Sequence, residues 1–309
     1  MNCKIPDEII SVLPDGLKAP VCRIASSSAS TIQEIRLRRG KILTVSVIDE
    51  EFYLTIDGNL TKNSEQGIRI SNNDIEDVFM AACKYSIHSF QNEIALGFLT
   101  INGGHRIGLC GTPVIKNGII ENIKDISSLN IRIARQIIGC SDNIYSQIFR
   151  NNLKSVLFVG PPSSGKTTVL RDLCRKLGDR HKVSIIDERN ELSATINGQP
   201  QNNIGMFSDV FNSYPKAEGI ITAIRVMSPE IIVCDEIGSN KDVSALKNAI
   251  NSGVKIVATA HSGSINEAID KKGIADLMTL KAFEYIVLLG VKDKLGQIVD
   301  IRKTGDYDV

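Results

Sequence analysis

The chain has 309 residues, 42% of them hydrophobic and 23% charged, which is enough for two domains with sizeable cores. Lys and Arg total 36 against 35 Asp and Glu, a balance that excludes a strongly basic nucleic-acid binder. No apolar run is long enough to span a bilayer and the N-terminus lacks a signal-peptide core, so direct membrane insertion is excluded and membrane association is expected through partners. Seven cysteines are scattered singly without a C-x-x-C pair, and are expected to be buried, reduced thiols of a cytoplasmic protein.

In chain order, Pro6 opens a short helix with Ile9, Ile10 and Leu13 on one face, and Pro14 ends it. Residues 26–30 read as a loop. Apolar residues alternate from Ile35 through Arg38, a strand pattern that puts Arg36 and Arg38 on one face. Further strands are expected over Ile42–Ile48 and Phe52–Ile56, with a hairpin turn at Asp57-Gly58. Ser71-Asn72-Asn73-Asp74 reads as a capping box before a helix carrying Ile75, Val78, Phe79 and Ala82. A glycine-broken β-rich stretch follows from Ile94 to Ile133, then a linking helix from Ser141. The polar Arg150-Asn151-Asn152 sets the expected boundary between an α+β domain, 1–150, and a second domain, 151–309.

In the second domain, apolar strands over Ser155–Val159, Val183–Ile186, Ile231–Cys234, Lys255–Ala258, Tyr285–Leu289 and Ile298–Ile301 alternate with helices in most intervals. That pattern predicts an α/β fold with a mostly parallel sheet covered on both faces, whose ligands bind at the carboxyl ends of the strands. The first such end carries Gly160-Pro161-Pro162-Ser163-Ser164-Gly165-Lys166-Thr167-Thr168, the phosphate-binding P-loop. Its glycines let backbone N–H groups face a phosphate, and the following helix adds its positive end. Lys166 is expected to reach the β- and γ-phosphates of ATP, and Thr167 to ligate Mg2+. Asp235-Glu236 ends a later strand, which assigns Asp235 to the metal and Glu236 to the base that activates water. His261 ends the next strand and can orient that water. Asp187-Glu188-Arg189-Asn190-Glu191 ends the strand after the P-loop helix; Glu188 is the candidate there, weighed evenly against a solvated loop with local ion pairs.

The ordered set of P-loop, acidic box, Asp235-Glu236 and Thr259-Ala260-His261 resembles the secretion ATPases of type II secretion and type IV pili, within the RecA/AAA-like P-loop class. Glu34-Ile35-Arg36-Leu37-Arg38, the stretch from Gly103-Gly104-His105-Arg106 to Gly111, Ser127-Ser128-Leu129-Asn130-Ile131-Arg132 and Pro215-Lys216-Ala217-Glu218-Gly219 bring it closer to the stage III sporulation protein AA family of endospore-forming bacteria. The resemblance implies a cytoplasmic homohexameric ATPase in the mother cell. It also implies an N-terminal domain that donates arginines, at Arg36, Arg38, Arg132 and Arg106, and an integral membrane partner in a channel to the forespore. The chain departs from secretion ATPases in having Asp-Glu, where they usually have Gly-Glu, and in lacking a four-cysteine metal module.

Two other functions share these motifs. A nucleic-acid-dependent RecA or helicase motor needs a basic or aromatic track, which a chain with no Trp and 5% aromatics does not offer. A nucleotide-gated scaffold with little turnover has no use for Glu236.

Overall fold

The computed structural model describes residues 3–29, 31–48, 50–291 and 294–304, and the chain divides into two compact units between Arg135 and Gln136. The first unit opens with helices α1 (Asp7–Val12), α2 (Asp15–Arg23) and α3 (Ser26–Ala29). Pro14 separates α1 from α2 with extended backbone, as proline at a helix entry should. Helix α2 was not expected, because Pro20 lies inside it, and α3 occupies the expected loop, of which Ser30 lies outside the described residues. The α1–α2 turn brings Cys3 to Cys22, Cα to Cα 4.7 Å, and the two form a disulfide. This corrects the expectation of seven reduced thiols; Cys83, Cys174 and Cys234 are buried as free thiols, while Cys110 is exposed.

The strands β1 (Ile32–Arg38), β2 (Thr44–Val47), β3 (Glu50–Leu54) and β4 (Leu60–Thr61) follow. Helices α4 (Asn72–Ala82) and α5 (Gln91–Ala95) precede β5 (Phe98–Ile101), β6 (His105–Lys116) and β7 (Ile119–Arg132). They form one sheet in the order β4-β3-β2-β1-β7-β6-β5, antiparallel at every pairing. The Asn117-Gly118 turn joining β6 to β7 has both residues at positive φ, 52° and 77°, the twist a two-residue hairpin turn requires. The expected capping box is present: Ser71 and Asp74 cap each other's backbone N–H at the start of α4. Alternation puts Ile35, Leu37, Leu129 and Ile131 into the core under the helices, and Glu34, Arg36 and Arg38 on the other face.

In the second unit, α6 (Asp142–Ile144) runs into a π-helical turn over Tyr145–Phe149. Strand β8 (Val156–Gly160) leads to α7 (Lys166–Gly178), then β9 (Val183–Asp187), β10 (Ser208–Asn212), α8 (Lys216–Val226) and β11 (Ile231–Cys234). Helix α9 (Asn240–Asn251), β12 (Lys255–His261), α10 (Ile265–Asp270), α11 (Lys272–Thr279), β13 (Tyr285–Leu289) and β14 (Ile298–Lys303) complete it. The sheet order is β10-β9-β11-β12-β8-β13-β14. All neighbours are parallel except β13 and β14.

This is the expected α/β architecture, with α8 to α11 packed on one face and α7 with the 142–149 segment on the other. Ile144, Ile148 and Phe149 join the core of Val156, Phe158 and Leu170. The linking helix therefore belongs to the second unit, and Arg150-Asn151-Asn152 is a loop within that unit. Edge strand β10 escaped the sequence reading because its Ser208-Asp209-Val210-Phe211-Asn212 carries only two apolar residues.

Asp172 of α7 fastens the incoming chain to the P-loop helix. Its fully buried carboxylate accepts from Gly139 N at 3.1 Å, Ser141 N at 2.9 Å, Ser141 Oγ at 2.7 Å and Arg175 Nη2 at 2.7 Å. Burial alone would raise its pKa, but the Ser141 and Arg175 hydrogen bonds outweigh it and hold the carboxyl below the usual aspartate range. Asp172→Ala is expected to cost about 3–5 kcal/mol in urea unfolding at pH 7, because buried donors and Arg175 lose their partner. A folded-state pKa below the unfolded one contributes stability that is complete above the ordinary aspartate pKa and disappears as pH falls through the folded value. The wild-type advantage over the variant should therefore shrink below about pH 4; an advantage that grows on acidification would contradict the assignment.

Candidate nucleotide site

The carboxyl ends of β8, β9, β11 and β12 come together at one edge of the parallel sheet, and each carries a motif found in the sequence. Strand register sets the neighbours: His261 pairs with Gly160 across β12 and β8, and Cys234, just before Asp235, pairs with Ile186, just before Asp187.

The P-loop leaves β8 at Gly160 and enters α7 at Lys166. A Cβ on Gly160 would lie 2.4 Å from Ser164 Oγ, so only glycine lets the loop close. Gly165 caps α7 with φ 81°, a left-handed conformation that a side chain would strain, and Ser163 also has positive φ, 61°. Pro161 and Pro162 form the outer part of the bend. Helix α7 has no acidic residue of its own in its first turn, so its positive end is not neutralised from within the helix. Lys166 is buried and folds back over the loop, donating to Gly160 O at 2.9 Å and Pro161 O at 2.8 Å. Burial draws its ammonium below the ordinary lysine range, opposed by Asp235 and Glu236. A glycine-closed cradle, a helix N-terminus and an inward lysine fit a phosphate chain.

Thr167 Oγ1 donates to Asp235 Oδ2 at 2.8 Å, and Thr259 Oγ1 donates to Asp235 Oδ1. The Thr259 hydroxyl also accepts from Glu236 N at 2.8 Å. Among the described residues, no group of three or more His, Cys, Asp or Glu side chains is placed to hold a metal ion. Thr167 and Asp235 fit Mg2+ only as part of a shell completed by other oxygens, such as those of a phosphate chain and water. Glu236 has φ 54°. Its carboxylate meets His261 Nε2 at 2.5 Å on one oxygen and Arg189 Nη1 at 2.7 Å on the other. Its carbonyl accepts from Lys216 Nζ at 2.7 Å.

The acidic box after β9 divides into different environments. Asp187 is buried and accepts from Glu191 N at 2.8 Å, Ser193 N at 2.8 Å and Ser193 Oγ at 2.7 Å. With Leu192 N at 3.2 Å from both of its oxygens as well, it shapes the loop. Glu188 is exposed, with Lys216 Nζ 3.4 Å away. A cleft between the β9 and β11 ends is lined by Glu188, Arg189, Lys216, Asp235 and Glu236.

Lys216, Arg189 and Thr259 received no role in the sequence reading, although all three touch the acids. A lysine in the first turn of α8 beside the buried Ala217 and Ile220 was the available signal for Lys216. The expected arginines lie in the first unit. Arg36 Nη2 and Arg132 Nε share Glu34, at 2.6 and 3.3 Å. Arg38 donates to Thr44 Oγ1 at 3.3 Å, and Arg106 lies 4.6 Å from the Phe98 ring centre.

The profile of the family described as "Sporulation stage III, protein AA" matches residues 4–307. The chain belongs to that family. Stage III sporulation protein AA of Bacillus subtilis (strain 168) is 34% identical over 315 residues, covering 97% of this chain and 98% of the relative. The Legionella pneumophila ATPase DotB superposes with a TM-score of 0.54 at 15% identity, over 89% of this chain and 78% of DotB. The pilus retraction motor PilT, solved with ADP, gives 0.57 at 13% identity, over 85% of this chain and 75% of PilT. At those identities the likeness shows the fold, and this member of the sporulation family has the P-loop fold seen in secretion ATPases.

Thr259→Val keeps the shape of a fully buried side chain but removes the partner of both Glu236 N–H and Asp235. It is expected to lower stability by about 1–3 kcal/mol in urea unfolding. Wild-type stability would show that water or a rearranged neighbour replaces the hydroxyl.

Proposed function

We propose that this chain is a Mg2+-dependent ATPase that acts as an oligomeric motor. The reading is carried by one observation: Thr167, Asp235, Thr259, Glu236 and His261 form a single connected hydrogen-bonded set at the mouth of a P-loop. The loop amides and Lys166 bind the β- and γ-phosphates of ATP, with Lys166 exchanging two loop carbonyls for phosphate oxygens. Thr167 and Asp235 would hold Mg2+, which when bound neutralises phosphate charge. Water attacks the γ-phosphorus, the bond to the β–γ bridging oxygen breaks, and Glu236 takes the proton of the attacking water. Both Glu236 oxygens are paired, so one partner must yield to water. Arg189, with a side chain 69% exposed, holds it through a solvent-screened contact of little strength. His261 stays on the other oxygen and orients the carboxylate. Glu188 adjusts the charge around Lys216.

Arg36, Arg38 and Arg132 supply cations to the γ-phosphate in an assembled homohexamer, and Arg106 adds to the same basic face. No described helix is long and apolar enough to cross a membrane. The motor's work would pass to an integral membrane partner of a secretion-like complex between mother cell and forespore, with the ATPase in the mother-cell cytoplasm.

Steady-state ATP hydrolysis, measured against protein concentration with particle mass read by light scattering, tests this reading. Glu236→Gln is expected to bind ATP normally while losing turnover by about 100-fold or more, and Lys166→Ala to lose binding. Specific activity should rise as a ring assembles. Unchanged turnover in Glu236→Gln removes the base assignment, and concentration-independent activity of a monomer removes the motor.

A further inference from the structure

The phosphate end of the site faces β11 and β12, where Asp235, Glu236 and His261 sit. In the sheet, β8 lies between β12 and β13. A nucleotide whose terminal phosphate points to the acids must extend its nucleoside toward the β13 side. What the chain places there is the described part of the return from β13 to β14, residues 294–297, which docks on the P-loop itself.

Gly296 N donates to Ser164 O at 3.1 Å. A Cβ built on Gly165 would lie 3.3 Å from Gly296 Cα and 3.6 Å from Leu295 Cδ1. Gly296 has φ 70°, and its own Cβ would come within 3.4 Å of Val169 Cγ2 on the first turn of α7. At the other end of the return, a Cβ on Gly290 would meet Lys294 at 2.7 Å. Gly165 and Gly296 thus let residues 295 and 296 lie against the loop that holds the phosphates. Beside that contact the chain exposes aliphatic surface: Leu295 is 57% exposed and Val291 39%. Leu295 makes a backbone bridge with Gly290, which fixes its backbone while leaving the side chain outside the core.

We infer that Leu295 is the platform on which the base of a bound nucleoside triphosphate packs. The proposal rests on the nucleotide reading of the P-loop and adds to it the residue that contacts the base. A flat aromatic base over an aliphatic side chain removes apolar surface from water on both partners. The phosphates contribute nothing to that contact, so base and phosphate contributions separate experimentally.

Isothermal titration of the full chain with ATP, and separately with inorganic tripolyphosphate, makes the separation. Leu295→Ser is expected to weaken ATP by about fivefold, the value of part of one leucine contact, and to leave tripolyphosphate binding unchanged. Leu295→Phe, which keeps an apolar surface and adds a ring for stacking, should bind ATP at least as tightly as wild type. Equal weakening of both ligands by Leu295→Ser would make the return a support of the P-loop rather than a base platform. ATP affinity unchanged in Leu295→Ser would also overturn the proposal. If the wild-type chain bound neither ligand, the nucleotide reading itself would fall, and this proposal with it.

Discussion

The second unit is organised by the hydroxyl of Thr259. It is fully buried and uses both of its hydrogen-bonding capacities on consecutive acids, donating to Asp235 and accepting from Glu236 N. Through Asp235 the bond extends to Thr167 and the start of α7. Three chain segments far apart in sequence are thereby held in one register. Glu236 has left-handed backbone, which costs a non-glycine residue about 1–2 kcal/mol. Its N–H and its carbonyl are both held, by Thr259 and Lys216, so the conformation is imposed from both sides. Strain maintained by its surroundings marks positions where side-chain aim is under constraint, and Glu236 is the acid that meets His261.

Asp187 and Asp235 end adjacent parallel strands, yet their hydrogen bonds differ in kind. Asp187 is bonded mainly by backbone N–H groups of its own loop, whose directions are set by the chain. Asp235 accepts from two hydroxyls. A hydroxyl rotates about its C–O bond and can turn its lone pairs outward when a cation arrives. The same residue type is therefore held by fixed backbone donors at the end of β9 and by rotatable hydroxyls at the end of β11. Lys166 shows the same reversible character, since it rests on two carbonyls that can return to water or to other donors.

The sequence made legible what depends on local pattern. The P-loop, the apolar strands running into Asp235-Glu236 and His261, and the Ser71 capping box each occupy a short window with its own chemistry. Features set by distant contacts were hidden. Lys216 reads as an ordinary helix lysine until α8 packs against β9 and aims it at the Glu236 carbonyl. Thr259 stood in the motif as a letter beside His261, yet its role comes from β11 lying next to β12. Asp187 looked like one acid among several, because a cap formed by residues 191–193 has no signature before the loop folds. The Cys3–Cys22 disulfide depends on two helices turning back at Pro14, and β10 on a polar segment finding the edge of a sheet already specified by its neighbours.

The first unit poses a charge problem that its own sheet only partly solves. Glu34, Arg36 and Arg38 share the face of β1 turned away from the core, Arg132 is paired in register with Glu34, and Arg106 with Arg132. One carboxylate thus serves two guanidiniums, while Arg38 donates to a threonine hydroxyl and Arg106 lies over an aromatic ring. Sharing Glu34 leaves Arg36 and Arg132 with more positive charge than the carboxylate carries, and with side chains 36% and 66% exposed these contacts are screened by solvent. In a chain whose net charge is only +1, such a concentration of positive charge on one sheet face gives a local potential that the overall composition conceals. A guanidinium keeps its charge at any physiological pH, so the potential of this face persists as its ion pairs open and close.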